Sequence, residues 1–223
     1  MSEEILNELD AEGLRSVFLK YMREAFESIP EINKPHILDI GCGACMPTLE
    51  LAKLNNGEII GIDIDQDALD KCNQKIKQKG LKNRIKIFNR SIYDTQFADE
   101  TFDILCEMGV IHLLDFKKVM TECIRILKVN GYMISGEANN WVYKKIEQYP
   151  KYGFKILKQI PWAEECWWKE YYAPLEERIN ILREKYNKVD EIEEIKQHLR
   201  EIKMVKKNPS DFDCTTYVLQ KVK

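Results

Sequence analysis

A doubly wound α/β fold is predicted for this chain: a mostly parallel seven-stranded sheet with helices on both faces and a helical lid. Three observations predict it. Short apolar runs alternate with helical segments of ten or more residues, the pattern of strands joined by right-handed crossovers. The run His36–Ile40 breaks into Gly41-Cys42-Gly43. An acid, Asp63, follows Gly43 by twenty residues, at the end of the next apolar run.

Composition frames the rest. At 223 residues with 44% hydrophobic content the chain can bury the core of one domain, with room for a small cap. Thirty-four Lys and Arg against thirty-seven Asp and Glu give a net charge of -3 and a pI near 5.8. That balance lacks the basic excess of a protein that grips phosphate backbones, so nucleic acid is not the expected partner. Met1-Ser2-Glu3-Glu4 opens without a basic-then-apolar signal pattern, and no apolar run approaches the roughly twenty residues that span a bilayer. A soluble, cytoplasmic protein without a membrane partner is expected. Its seven cysteines are odd in number and scattered through core-like segments, which suggests free thiols. Cys42 and Cys45 form a C-x-x-C without a second Cys/His pair at zinc spacing, so they are read as small residues filling the turn and no metal site is expected.

The elements follow in order. Residues 1–34 carry Ile5, Leu6, Leu9, Leu14, Val17, Phe18, Tyr21 and Met22 at three- and four-residue spacing, interrupted near Gly13 and closed by Pro30 and Pro35. This is an amphipathic helical segment, read as a lid. Residues 36–160 form the cofactor-binding core. Within it come strand Ile37–Ile40, a helix from Thr48 to Leu54, strand Ile59–Ile62, and a helix from Gln66 to Lys79 ending at Gly80. Strands Ile85–Phe88 and Phe102–Cys106 follow, then a helix from Phe116 to Leu127 and a strand from Tyr132 to Ser135 opened by Gly131. Phe154–Ile160 and Thr215–Leu219 are the last two strands. Between them, residues 161–210 form a helical insertion whose stripe of Ile179, Leu182, Tyr186, Val189, Ile192, Ile195 and Leu199 reads as a hairpin packed on the sheet. The whole is taken as a single domain, 1–223.

The glycine turn narrows the ligand. A dinucleotide site wants a third glycine where this chain has Met46. Pyrophosphate also needs bare amides and a helix N-terminus, whereas Asp39 just before the turn suits a ligand that brings an ammonium and a positive sulfur. The pattern Asp39, Gly41, Gly43, followed by Ile60-Gly61-Ile62-Asp63, resembles the class I S-adenosylmethionine-dependent methyltransferases. So do Thr95-Gln96-Phe97-Ala98-Asp99-Glu100-Thr101-Phe102-Asp103 and Leu127-Lys128-Val129-Asn130-Gly131. The resemblance implies S-adenosylmethionine as cofactor, with Gly41 and Gly43 letting the backbone approach the methionine portion and Asp39 near its ammonium. Asp63 would accept the ribose hydroxyls, Ile64 would pack on adenine, and the Ser91 hydroxyl or Ile92 backbone would take the adenine amino group. Ser91 stands where the family usually has an acid, and Cys45 where it has a third glycine.

A small prokaryotic subgroup akin to the quinone-biosynthesis methyltransferases is the nearest pattern. Its E-G-A-I-Y, S-E-A-S-W and C-W-x-x-x-Y-x-x-P elements resemble Glu107-Met108-Gly109-Val110-Ile111, Ser135-Gly136-Glu137-Ala138-Asn139-Asn140-Trp141 and the stretch from Cys166 to Pro174. Glu107 and Glu137 end strands four and five, so both are expected to face the methyl group, with Glu107 also counted among the cofactor contacts. His112 is a candidate base. Trp167, Trp168, Tyr171 and Tyr172 are candidate contacts for a small-molecule acceptor, an amine or imidazole nitrogen on which they could stack. A non-catalytic S-adenosylmethionine-binding sensor or subunit is the alternative of a different class. Arsenic or thiol methylation is a further enzymatic one. Oligomeric state is not legible.

Overall fold

The structure is a computed structural model and describes residues 2–222; Met1 and Lys223, the ends of the expected domain, lie outside the described residues. Strands β1 (His36–Ile40), β2 (Glu58–Asp63), β3 (Ile85–Asn89), β4 (Phe102–Met108), β5 (Leu127–Ala138), β6 (Phe154–Pro161) and β7 (Cys214–Lys221) form one sheet. Its order is β3-β2-β1-β4-β5-β7-β6. β1 to β5 run parallel and β7 is antiparallel to both β5 and β6. The expected doubly wound, seven-stranded fold is present. Its strand order reverses between β1 and β4, the place where such sheets open a crevice at their carboxyl ends.

The chain divides into two compact units. One holds residues 19–161 and 214–222, with the whole sheet. The other holds residues 2–18 and 162–213.

Helices α1 (Ser2–Leu9) and α2 (Ala11–Arg15) belong to the smaller unit, and α3 (Leu19–Glu27) to the sheet unit. The break in the first segment falls at Asp10 rather than near Gly13. Asp10 takes a left-handed conformation, φ 48°, and its side chain accepts from the Gly13 amide to cap α2, a cost and a compensation that short polar residues tolerate best. In the sheet unit α3 is fastened to α4 (Met46–Leu54) through Arg23, whose Nε lies 3.1 Å from Glu50 Oε1. α4 starts two residues before the expected Thr48 because Pro47 occupies its first turn, where a missing N–H costs nothing. α5 (Gln66–Gln78) is capped by Asp65 and ends at Gly80 with φ +68° and the Leu81 amide on Ile76 O, the glycine-terminated helix end anticipated for this position.

Around β4 and β5 the sequence motif acquires a mechanical meaning. Asp103 Oδ2 accepts from the His36 amide at 2.8 Å and Oδ1 from Lys128 Nζ at 2.8 Å. It thus pins the start of β1 to the start of β5. α6 (Phe116–Ile126) carries Glu122 and Arg125. Arg125 Nη1 reaches Phe97 O and Asp99 Oδ1, and Glu122 accepts from the buried Thr95 hydroxyl. β5 begins at Leu127, earlier than the expected Tyr132, since Leu127 pairs with Phe102 before the ladder resumes at Ile104 and Tyr132. The intervening residues bulge out with Asn130 at φ 64°, as an inserted stretch in a ladder must.

In the smaller unit the insertion carries two helices. α7 (Ala173–Lys185) and α8 (Glu193–Lys207) are separated by a turn at Lys188, φ 65°. α7 is tied to α1 by Lys185 and Tyr186 on Glu8. A π-helical segment, Trp167–Tyr172, precedes it.

Lys221 shows how a buried charge is held in the sheet unit. It is 6% exposed, and its Nζ donates to Ile124 O and Leu127 O, both at 2.8 Å. These are end carbonyls of α6, where a cation both satisfies orphan acceptors and opposes the helix dipole. Lys221→Met should leave them unsatisfied and destabilise the protein by about 2–4 kcal/mol, read as a lowered midpoint in urea unfolding; an unchanged midpoint would refute the assignment.

Candidate active site

The expected cofactor residues gather at the carboxyl ends of β1, β2 and β3. After Ile40 the chain turns through Gly41 at φ +68° and Gly43 at φ +47°, a region where side chains are strained. At Gly41 space is also decisive: a Cβ there would lie 2.5 Å from Val110 Cγ2. Gly43 is open, its nearest neighbour being Asp63 Oδ2 at 4.0 Å from such a Cβ. The Gly43 amide donates to Asp63 Oδ2 at 2.8 Å, and the Asp65 amide to Oδ1 at 2.9 Å. Asp63 therefore ties the turn to β2 while keeping lone pairs for two further donors.

Asp39 is 1% exposed and accepts from Thr48 Oγ1 at 2.5 Å. Burial pushes its carboxyl up to about 7, against the Thr48 hydrogen bond and with help from the charges of Asp63 and Glu107. Ile64 stands 73% exposed beside Asp63. Ser91 Oγ accepts from the Tyr93 amide at 3.2 Å, and Ile92 is buried in the core.

Cys45 departs from the expectation of free thiols. It is bonded to Cys72 of α5, with Cα atoms 5.0 Å apart, a separation suited to a disulfide. Cys42 is free and buried, so the C-x-x-C does not close on itself. Cys45 has φ 76°, and its side chain leaves the turn toward α5. The Lys75 Nζ bond to Ala44 O, 3.1 Å, fixes the same helix to the turn.

β4 and β5 bring the other group together. Glu107 and Glu137 are fully buried, at 0% and 1% exposure, and are hydrogen-bonded to each other. Glu107 accepts from the Ser135 hydroxyl and, at 3.2 Å, from the Val110 amide; Ser135 lies 3.5 Å from Tyr149 OH. Glu137 accepts from the His112 amide at 3.2 Å, and its Oε2 lies 2.9 Å from His112 Nδ1. Burial and the adjoining Glu137 hold Glu107 well above the ordinary carboxylate range. Burial also raises Glu137, to about 7, against the Glu107 contact and the N–H groups of His112, Ile111 and Ala138. The His112 side chain is 35% exposed, so of these three it is the one that reaches the surface. Val110, packed against Gly41, joins this turn to the cofactor turn.

Trp167, Tyr171 and Tyr172 lie in the smaller unit, clustered with Phe18 and Trp162. Ring centroids stand 4.4 Å apart for Phe18–Trp167 and 4.7 Å for Tyr171–Tyr172, and Tyr171 is 4% exposed. Trp168 stands under Lys206 Nζ at 5.3 Å. Thr48, Val110, Ser135 and Tyr149 are site residues that sequence reasoning missed. Strand register would have flagged Ser135, which pairs with Glu107 across β4 and β5; the other three carry no local signal. Among the described residues no helix is long and apolar enough to cross a membrane, and no group of three or more His, Cys, Asp or Glu side chains could hold a metal ion.

A glycine turn over a buried acid, a second-strand acid and an exposed apolar neighbour fit a sulfonium nucleoside, and define a nucleoside-binding α/β protein of the methyltransferase class. The methyltransferase domain model matches residues 33–179, and the chain belongs to that family. An uncharacterized methyltransferase of Schizosaccharomyces pombe is 34% identical over 110 residues, 46% of this chain and 40% of that protein. A ubiquinone/menaquinone biosynthesis C-methyltransferase of Proteus mirabilis is 26% identical over 161 residues, 70% of this chain and 63% of that one. The match thus spans less than two thirds of either relative's length. Among solved structures, a Haemonchus contortus phosphoethanolamine N-methyltransferase in complex with S-adenosyl-L-methionine superposes with a TM-score of 0.71 at 16% identity, over 92% of this chain and 52% of that one. The cyclase SpnF reaches 0.74 at 16% identity, over 90% and 80%. Likeness at that identity shows the fold, and a fold hosts more than one chemistry.

Thiol titration of denatured protein should count five groups before reduction and seven after; seven in both would show that Cys45 and Cys72 are not bonded. Asp39 holds a proton below about pH 7 and must release it to face an ammonium. S-adenosylmethionine affinity should therefore weaken as pH falls below 7, approaching tenfold per unit, and Asp39→Asn should flatten that slope in calorimetry. An equal slope in the variant would place the ammonium elsewhere.

Proposed function

We propose that the chain transfers a methyl group from S-adenosylmethionine to a small-molecule acceptor, an amine or imidazole nitrogen that gives up a proton as it is methylated. The observation that carries this reading is the His112–Glu137 couple, 2.9 Å between Nδ1 and Oε2, on the turn that also packs Val110 against Gly41. A buried carboxylate behind one ring nitrogen and a half-exposed ring in front is the arrangement that turns histidine into an oriented base.

When bound, S-adenosylmethionine supplies a methyl group already activated by its positive sulfur. The protein's part is then to position the acceptor, exclude water and receive a proton. His112 Nε2 takes that proton from the acceptor, and the charge formed on the ring is opposed by Glu137 through Nδ1. Asp63 would hold the ribose hydroxyls, the Gly41 and Gly43 backbone would lie along the methionine portion, and Asp39 would face its ammonium. The Haemonchus enzyme is named as a phosphoethanolamine N-methyltransferase, whereas the Proteus relative is named as a C-methyltransferase. Nitrogen is favoured here because a cationic amine gains from the anionic couple and must lose a proton to it.

Incubation with S-adenosylmethionine and a panel of amines and imidazoles, followed by mass spectrometry, should yield S-adenosylhomocysteine together with a methylated product. With the acceptor so found, His112→Gln should lower kcat about 10²–10⁴-fold and leave cofactor affinity unchanged, whereas Asp63→Ala should abolish saturable binding in calorimetry. A His112→Gln enzyme at full rate would remove the base, and methylation confined to carbon or sulfur acceptors would replace nitrogen.

A further inference from the structure

The proposed base uses Glu137 and leaves Glu107 without a part. Yet Glu107 is 0% exposed and hydrogen-bonded to a second buried carboxyl. Two carboxylates in contact and sealed from water do not both ionise, since each charge lacks solvent and repels the other. The remaining ionisable groups acting on the pair are Asp39, Cys106, Cys123 and Tyr149, all of them acids, with His112 at its outer edge. No cation among these permits a second negative charge.

We propose that Glu107 and Glu137 hold one proton between them at neutral pH, that Glu107 carries it, and that Glu107 is thereby the positioning residue that keeps His112 in its Nδ1–H tautomer. The partners decide which carboxyl is the anion. Glu137 accepts from the His112 amide and faces the imidazole Nδ1 at 2.9 Å. Glu107 accepts from the Val110 amide and the Ser135 hydroxyl. Only Glu137 has beside it a group able to carry positive charge, and such a neighbour favours the ionised form, so Glu137 ionises and Glu107 stays a neutral acid that donates to it.

The tautomer follows. An ionised Glu137 can only accept, so Nδ1 must bear hydrogen and Nε2 presents its lone pair outward. Were the proton on Glu137 instead, that carboxyl would donate to Nδ1 and Nε2 would carry hydrogen, useless as a base. Glu107 therefore acts through Glu137 without touching the acceptor. Its catalytic consequence rests on His112 being the base; the proton's location does not.

Nuclear magnetic resonance of the whole chain reads that location without an acceptor. In protein labelled at glutamate carboxyl carbons, the resonance that disappears in Glu107→Gln should keep the shift of a protonated acid through pH 7. In protein labelled with 15N-histidine, the signal lost in His112→Gln should report Nδ1–H. That pattern should persist in Glu107→Gln, whose amide N–H replaces the acid O–H, and be lost in Glu107→Leu. A Glu107 carbon that titrates at about 4–5, as a free carboxyl does, would overturn the proposal, as would an Nε2–H tautomer in the unaltered protein. Should Glu107→Leu fail to fold, those two measurements on the unaltered chain still decide. Wild-type tautomer with a fully active His112→Gln enzyme would instead sink the base and spare the shared proton.

Discussion

Burying a carboxyl group without a counter-cation is the constraint around which the rest of this site is arranged. Asp39, Glu107 and Glu137 sit in the interior at the ends of β1, β4 and β5, and each is held by hydroxyl or N–H donors. Such groups are costly to desolvate as anions, and their pKa values rise accordingly. The parallel sheet makes the arrangement feasible. Its strand ends deliver free amides from the following turns, and the order reversal at β1 and β4 brings two of those turns against each other at Gly41 and Val110.

Acids elsewhere in the sheet unit are treated in the opposite way. Despite partial burial, Lys53 and Arg23 keep the Glu50 carboxyl below its ordinary range. Arg125 does the same for Glu122, and Lys128 pairs with Asp103. Those residues bind α3 to α4, α6 to the loop before β4, and β1 to β5. Cation-paired acids carry the scaffold, and acids raised by burial gather at the ends of β1, β4 and β5, a separation that makes those ends the candidate site.

The fold was legible in the sequence wherever local chemistry repeats along the chain. The β1 turn, the helix ending at Gly80 and the existence of the last strand follow from apolar periodicity and glycine placement. The break at Asp10 was not, because a left-handed aspartate is fixed by its own side-chain cap rather than by pattern. Nor was the early start of β5, where Leu127 reaches across a bulge to Phe102. The residues expected to hold the cofactor could be singled out because they are consecutive or a fixed distance apart. Thr48, Val110 and Tyr149 were invisible because each contributes through a neighbour on another element, whereas Ser135 needed only the register of β5 on β4. Cys45 and Cys72 were read as free for the same reason: they are 27 residues apart, and only the packing of α5 on the turn brings them together.

The site thus has two halves with separate physics. At β1 and β2 stand a shaped backbone turn and a buried acid, Asp39, whose carboxyl burial pushes up to about 7. At β4 and β5, the pair Glu107–Glu137 is completed internally and needs no ligand to settle its charge, since its donors come from its own strand ends and the His112 turn. The halves touch through Val110 on Gly41, and a charge on Glu107 also pushes the Asp39 carboxyl up. Keeping the pair's proton on Glu107 removes that push, so the donor half is spared the charge of the pair. A single scaffold of this kind can keep its donor site while the residues around His112 change to suit a different acceptor.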